Sequence, residues 1–264
     1  MIDFLYANGC SWTAGNGIDD DPSLSNIPLI ERWNYFLKCA WPSVVAEKFG
    51  VDHINEALGA GSNARMVRTT CDFLRKYPKE KYSSLVVMLG WTTVDRSEVY
   101  LHEGQKEGWC MFNATQPVSS HDVLFRPDFS NDYLKLIDDW QKDYILNVYS
   151  LRANYIRFFQ EMYIMKNLLE NLGVKYLFFS SLPWRTVWLP EYKKINISKQ
   201  FEQEISVLQK PCILNTRSCD ESLNVMSLFC VANQIPMAAD HHTMIEGHRR
   251  WAEHLYQEFN NIYE

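Results

Sequence analysis

No stretch of the 264 residues is rich in Lys or Arg, and the formal charge is −6, from 26 basic and 32 acidic side chains. An excess of that sign argues against an electrostatic nucleic-acid binder or a membrane-surface protein. Long hydrophobic runs are missing as well. Residues 85–89 and 176–179 are apolar, but far short of the ~20 residues that span a bilayer. The opening MIDFLYANGCSW has neither a basic n-region nor a long apolar stretch, so no signal peptide is read and a cytoplasmic location is expected. The seven cysteines are odd in number, irregular in spacing and without a CxxC pair. They imply neither a disulfide framework nor a zinc site. Internal repeats and low-complexity segments are also lacking.

What is present is a chain with 47% hydrophobic residues, long enough for one sizeable α/β core, and residues 1–264 are read as one domain. Residues 3–7 form a short apolar strand ending at Asn8-Gly9, and 51–55 a second strand followed by Leu58-Gly59-Ala60-Gly61. Between them, 31–49 is helical, with Pro42 breaking it in two. Ser62 or Asn63 caps the next helix, which runs to about Tyr77. The run SSLVVMLG at 84–90 is apolar on both faces, as a buried parallel strand requires. A long aromatic-rich helix at 149–172 leads into a fourth strand at 174–180. Trp251, Leu255 and Phe259 give the last stretch, 246–263, helical spacing.

Strand–helix alternation of this kind specifies a mostly parallel, doubly wound sheet, whose ligands sit beyond the carboxyl ends of the strands. Small or polar residues mark three of those ends: Gly9-Cys10-Ser11, residues 59–63, and residues 90–93. Residues 97–132 lack periodicity, and the insertion over about 97–148 is a candidate cover for an active site. A shorter irregular piece at 183–199 carries Trp184, Arg185 and Trp188.

Ser11, Asp240 and His242 together supply a nucleophile, an orienting carboxylate and a base. A serine is unreactive at its own pKa and needs an imidazole to take its proton. The imidazole needs a carboxylate on its far nitrogen to fix the tautomer and stabilise the cation.

Four blocks, in order, resemble those of the SGNH (GDSL-type) hydrolases. They are Asn8-Gly9-Cys10-Ser11-Trp12-Thr13, residues 55–63 (NEALGAGSN), Met88-Leu89-Gly90-Trp91-Thr92-Thr93, and Asp240-x-His242 followed by Gly247-His248. The Gly-His pair lies five and six residues after His242, the family's usual interval, which selects His242 over His241 as base. The resemblance implies a three-layer α/β/α fold with a five-stranded, mostly parallel sheet. It also implies hydrolysis of a carboxylic ester with Ser11 as nucleophile and no metal or cofactor. Oxyanion donors would be the N–H of Ser11, that of Ala60 or Gly61, and a hydroxyl from Thr92 or Thr93. The third block departs from the family here, since Thr stands where Asn is usual. A threonine hydroxyl donates one hydrogen bond with shorter reach, and one lost oxyanion donor costs ~10²–10³ in rate.

Other residues carry two readings each. Trp12 and Trp91 follow strand ends and wall a pocket for an acyl chain or a sugar ring, or else pack in the core. Asn63 caps a helix or lines the pocket. Arg96 and Glu98 form an ion pair anchoring the insertion, or Arg96 faces substrate. Cys10, beside Ser11, is a buried small apolar residue, and His248 packs behind the site. Asp19-Asp20-Asp21 lacks the alternating ligands and terminal Glu of an EF-hand and is a solvated loop.

The leading reading is a serine esterase acting on a small-molecule or glycan ester, such as an O-acetyl group on a carbohydrate. An inactive binding or structural module on the same fold is the alternative. A metal-dependent phosphoesterase built on Asp240-His241-His242 is the third, although the early strand ends carry Ser, Gly and Asn rather than further ligands.

Overall fold

The computed structural model describes residues 2–113, 129–182 and 225–264. At its centre are four parallel strands, β1 (Phe4–Gly9), β2 (Asp52–Asn55), β3 (Leu85–Trp91) and β6 (Lys175–Ser180). Their order is β2-β1-β3-β6, with Ala7 opposite both Asn55 and Met88, and Gly90 opposite both Gly9 and Phe179. Parallel pairing brings all four carboxyl ends to one edge. A parallel bridge between Ser180 and Val225 stands beyond β6, with α7 (Met226–Ala232) after it, and the described residues add no fifth strand to this sheet.

Side-chain alternation divides the core in two. Tyr6, Val87, Leu89, Tyr176 and Phe178 face one way, onto Met66 and Leu74 of α4 (Asn63–Lys76) and Phe158, Met162 and Met165 of α6 (Leu151–Asn171). Leu5, Ala7, Val86, Met88 and Phe179 face the other, onto Trp41 and Val45 of α3 (Trp41–Phe49) and Trp251, Leu255 and Phe259 of the closing helix, α8 (Ile245–Tyr263). The result is the three-layer α/β/α arrangement that the resemblance implies. All seven residues of β3 are buried, which is why its sequence shows a continuous apolar run.

The helical stretch before β2 divides into α2 (Leu29–Cys39) and α3, with Pro42 in the first turn of the latter. The break falls at Ala40, whose backbone is extended. Proline lacks an N–H and suits a helix's first turn, so a new helix starts there.

The insertion corrects the sequence reading. Instead of irregular chain, Arg96–Glu103 (β4) and Lys106–Asn113 (β5) form an antiparallel hairpin around Gly104 at φ 63°. Helix α5 (Asn131–Asn147) follows. The hairpin is fixed to α4 by Arg68, which donates two hydrogen bonds of 2.9 Å to Glu98 and lies 4.3 Å above the Trp109 ring. Glu98 therefore pairs with Arg68 and not with Arg96. Trp184, Arg185, Trp188 and the irregular segment at 183–199 lie outside the described residues. Among the described residues, no helix is long and apolar enough to cross a membrane.

Two glycines are demanded by close contact. A Cβ at Gly9 would stand 2.7 Å from Thr13 Cβ, and one at Gly247, inside α8, would run into the side chain of Thr243. In an exposed helix, replacing Gly by Ala stabilises by roughly 0.5–1 kcal/mol. At position 247 overpacking reverses that sign, so Gly247→Ala is expected to destabilise by roughly 1–3 kcal/mol. A shift of the urea midpoint to lower concentration at unchanged slope checks this.

Candidate active site

Asn8 anchors the end of β1. It is fully buried, and its Nδ2 faces Tyr6 OH at 3.0 Å, Thr69 Oγ1 at 2.8 Å and Met66 O at 3.3 Å, while Oδ1 accepts the Gly9 N–H at 2.8 Å. Burial pushes the Tyr6 phenol up to about 12, so it stays protonated as part of this network. From Gly9 the chain turns sharply, with Cys10 extended and buried, into a single helical turn, α1 (Ser11–Ala14). Gly15 closes that turn at φ 102°, and its N–H donates to Ser11 O. Ser11, at the head of the turn, is 5% exposed.

The partner loop precedes α8. Ala238 N–H donates to His242 O at 2.8 Å, Met237 bridges Thr243, and His241 takes φ 64° at the tip. Asp240 Oδ1 accepts the His242 N–H at 3.0 Å and Oδ2 lies 2.8 Å from His242 Nδ1. The other ring nitrogen, Nε2, is 2.7 Å from Ser11 Oγ. The structure thus joins Ser11, His242 and Asp240 in one hydrogen-bonded chain, while His241 is exposed on the loop. Trp12 is buried with its ring 5.5 Å from that of His242.

Behind them His248 is fully buried, and its Nδ1 accepts the Trp41 N–H at 3.3 Å. Burial, and secondarily His242, push its pKa down to about 3, so it remains neutral.

The second block lies against the β1 end. Glu56 and Leu58 donate to Ala7 O and Gly9 O, and Asn55 Nδ2 reaches Thr13 O at 2.9 Å. The Gly61 N–H is spent on Leu58 O at 2.9 Å. Ala60 adopts φ 57°, and among the described residues its N–H meets no acceptor. Ser62, not Asn63, caps α4, accepting the Arg65 N–H at 3.1 Å. Asn63 is not the cap; its amide binds the chain after β3. Its Oδ1 accepts the Thr92 N–H at 2.9 Å, and its Nδ2 donates to Thr92 O at 3.2 Å. Thr92 is fully buried, its hydroxyl oxygen accepting from Arg96 at 3.1 Å. Trp91 is likewise core, edge-on to Phe158 and Phe178 at 5.7 and 5.5 Å. Among the described residues no group of three or more His, Cys, Asp or Glu side chains converges as a metal site would require.

A family model for proteins of unknown function (DUF6071) matches residues 18–196, more than half of the chain. The chain belongs to this family. The family match leaves Ser11, Asp240 and His242 outside its bounds. No curated protein matches. Among solved structures, the esterase EstA from Pseudoalteromonas sp. aligns at 10% identity and TM-score 0.50, over 98% of this chain and 97% of that one. TesA aligns at 13% identity and TM-score 0.49, over 98% and 99%. A member of the lipolytic protein G-D-S-L family from Veillonella parvula aligns at 11% identity and TM-score 0.45, over 96% of each chain. The likeness to EstA is one of fold.

One feature beside the site escaped the sequence reading. A recess of about 20 Å³, enough for one ordered water, lies against Arg96, Asn154, Arg157 and Glu161. Glu161 is half-buried there. Burial pushes its pKa up to about 7, with Arg157 opposing and Glu98 adding to the rise. The folded state therefore holds the Glu161 proton more tightly than the unfolded chain. Its contribution to stability is full below the ordinary carboxyl pKa, near 4.5, and is lost as pH rises through about 7. Thermal melts across that window are expected to show wild type losing stability relative to Glu161→Gln, with the two converging at the acid end.

Proposed function

We propose that this chain is a carboxylic ester hydrolase working through an acyl-enzyme. One observation carries the reading: Ser11 Oγ, the His242 ring and the Asp240 carboxylate stand in line at 2.7 and 2.8 Å. His242 takes the Ser11 proton as the oxygen attacks the ester carbonyl, and delivers it to the departing alcohol. Water, activated by the same ring, then cleaves the acyl-serine. Asp240 holds the ring with its proton on Nδ1, leaving Nε2 to face Ser11, and stabilises the cation once it forms.

For the oxyanion, the Ser11 N–H heads a helical turn and has no intrahelical acceptor. Ala60 offers the second N–H, favoured over Gly61 because the latter is already engaged by Leu58. Thr92 is the third candidate: with its oxygen accepting from Arg96, its own proton is free to be donated. EstA, which shares the fold, is itself an esterase. Trp12 beside His242 supplies an apolar wall of a size suited to a short acyl group such as acetyl, carried on a small molecule or a sugar. A catalytically weak binding module is the second reading, and the observation favouring it is Thr92, shorter than Asn and fully buried.

Intact-mass labelling with a fluorophosphonate in the presence of EDTA decides between them. The esterase reading requires one adduct on wild type, none on Ser11→Ala, and a labelling rate lowered by roughly 10²–10⁴ in His242→Ala. A wild type that takes no adduct sinks it.

A further inference from the structure

Ser11 and His242 are 231 residues apart, yet their contact is set to 2.7 Å. The loop bearing His242 is short, its carboxylate partner Asp240 is half exposed to water, and α8 begins at Ile245 without a side-chain cap from its own N-cap residue, Met244. What holds the loop against Ser11 comes from the segment that follows Ser11 itself.

That segment starts at the nucleophile. Gly15 and Asn16 both donate to Ser11 O at 3.0 Å, and Gly15 and Gly17 take φ 102° and 90°, turning the chain back across the site. Gly17 then lies flat on the base. A Cβ at this position would stand 2.8 Å from His242 Cβ, 2.9 Å from Thr243 O and 3.2 Å from His242 C. Four residues on, Asp21 accepts the Ile245 N–H at 3.2 Å and, through its other oxygen, the Ser23 N–H at 3.0 Å and hydroxyl at 2.6 Å. Asp21 thus caps α8 from outside, where a carboxylate also complements the helix dipole. Burial works to raise its pKa, but the bonds from Ser23 and Ile245 prevail and hold it below the ordinary carboxyl range. Ile18 and Leu24, on either side of Asp21 in the chain, are buried in a cluster with Ala40 and against Ile245. The Asp19–Asp21 run is therefore more than a solvated loop.

We infer that Gly17 and Asp21 are positioning residues for the proposed hydrolysis: together they form a clasp that presses His242 onto Ser11. The inference rests on the esterase reading for its effect on rate, though not for its geometry. Gly17 controls how closely the base approaches, because any Cβ there displaces the His242 backbone. Ordinary contact begins at 3.4 Å, so alanine forces this segment and His242 Cβ apart by about half an ångström. Misplacement on the scale of 1 Å costs about 10² in rate. Asp21 controls the angle at which His242 leaves the helix.

The test measures the maximal inactivation rate and half-saturating concentration of a fluorophosphonate probe. Alongside it, the ¹⁵N and downfield ¹H signals of the His242 imidazole are recorded. Gly17→Ala is expected to lower the maximal rate by about 10²-fold at unchanged half-saturation, and to weaken the signal of the Nδ1–H bonded to Asp240. Asp21→Ala is expected to do so by about tenfold, and Asp21→Asn, whose amide oxygen still caps Ile245, to restore most of the loss. Gly50→Ala is the control: Gly50 has φ 67° and nothing within 4 Å of a Cβ, so it places a side chain on a left-handed backbone without touching the base. The clasp is overturned if Gly17→Ala labels and resonates like wild type, or if Gly50→Ala loses as much. If wild type takes no adduct, the esterase reading fails, and the imidazole signals alone decide the clasp.

Discussion

The helical turn after β1 returns so closely over the carboxyl ends of β1 and β3, with Thr13 against both, that neither Gly9 nor Gly90 has room for a Cβ. One at Gly9 would stand 3.0 Å from Gly90 O, and one at Gly90 2.5 Å from Ser181 Oγ and 2.7 Å from Thr13 Oγ1. On this closeness depends the immediate fold-back of the chain into a single helical turn, and hence the location of Ser11 at the sheet edge. It depends too on parallel pairing, which delivers the ends of β2 and β3 to that same edge. The blocks that follow β1, β2 and β3 therefore lie along one edge of the sheet.

Along that edge the polar groups are spent unevenly. Asn8 and Asn63 are buried amides whose hydrogen bonds go wholly to structure, one tying β1 to α4, the other clamping the chain after β3. An unpaired buried amide would cost about 1–3 kcal/mol, so such residues are held by their partners. Ser11 and His242 are different, since their polar side chains are bonded to each other in line with Asp240.

The sheet and both its faces were legible in the sequence, because burial on two sides writes a continuous apolar run at 84–90 and burial on one side writes helical spacing at 251, 255 and 259. The proximity of Ser11, Asp240 and His242 was legible through their residue types and the blocks around them. The hairpin at Arg96–Asn113 was not: its strands are largely half-exposed, so no apolar run marks them, and Gly104 is a solitary turn signal. Trp91 carried two readings, and its full burial shows the core one. It ends a strand, but its side chain falls on the α6 face, and nothing local distinguishes that face from a pocket wall. The work of Asn63 and Asp21 lies in bonds to residues 29 and 224 positions away, which local spacing does not encode.

The separation of 231 residues between the two halves of the Ser11–His242 contact also bears on how the molecule is made. Contacts between distant parts of a chain cost most in loop-closure entropy and form late. During synthesis β1 and β3 can pair long before α8 has emerged, and Ser11 then sits at a finished sheet edge with no imidazole beside it. Docking of α8 under Trp251, Leu255 and Phe259 is what brings the base in. In the proposed reaction the competence of Ser11 would report completion of the fold, because the last element to pack carries its hydrogen-bond partner.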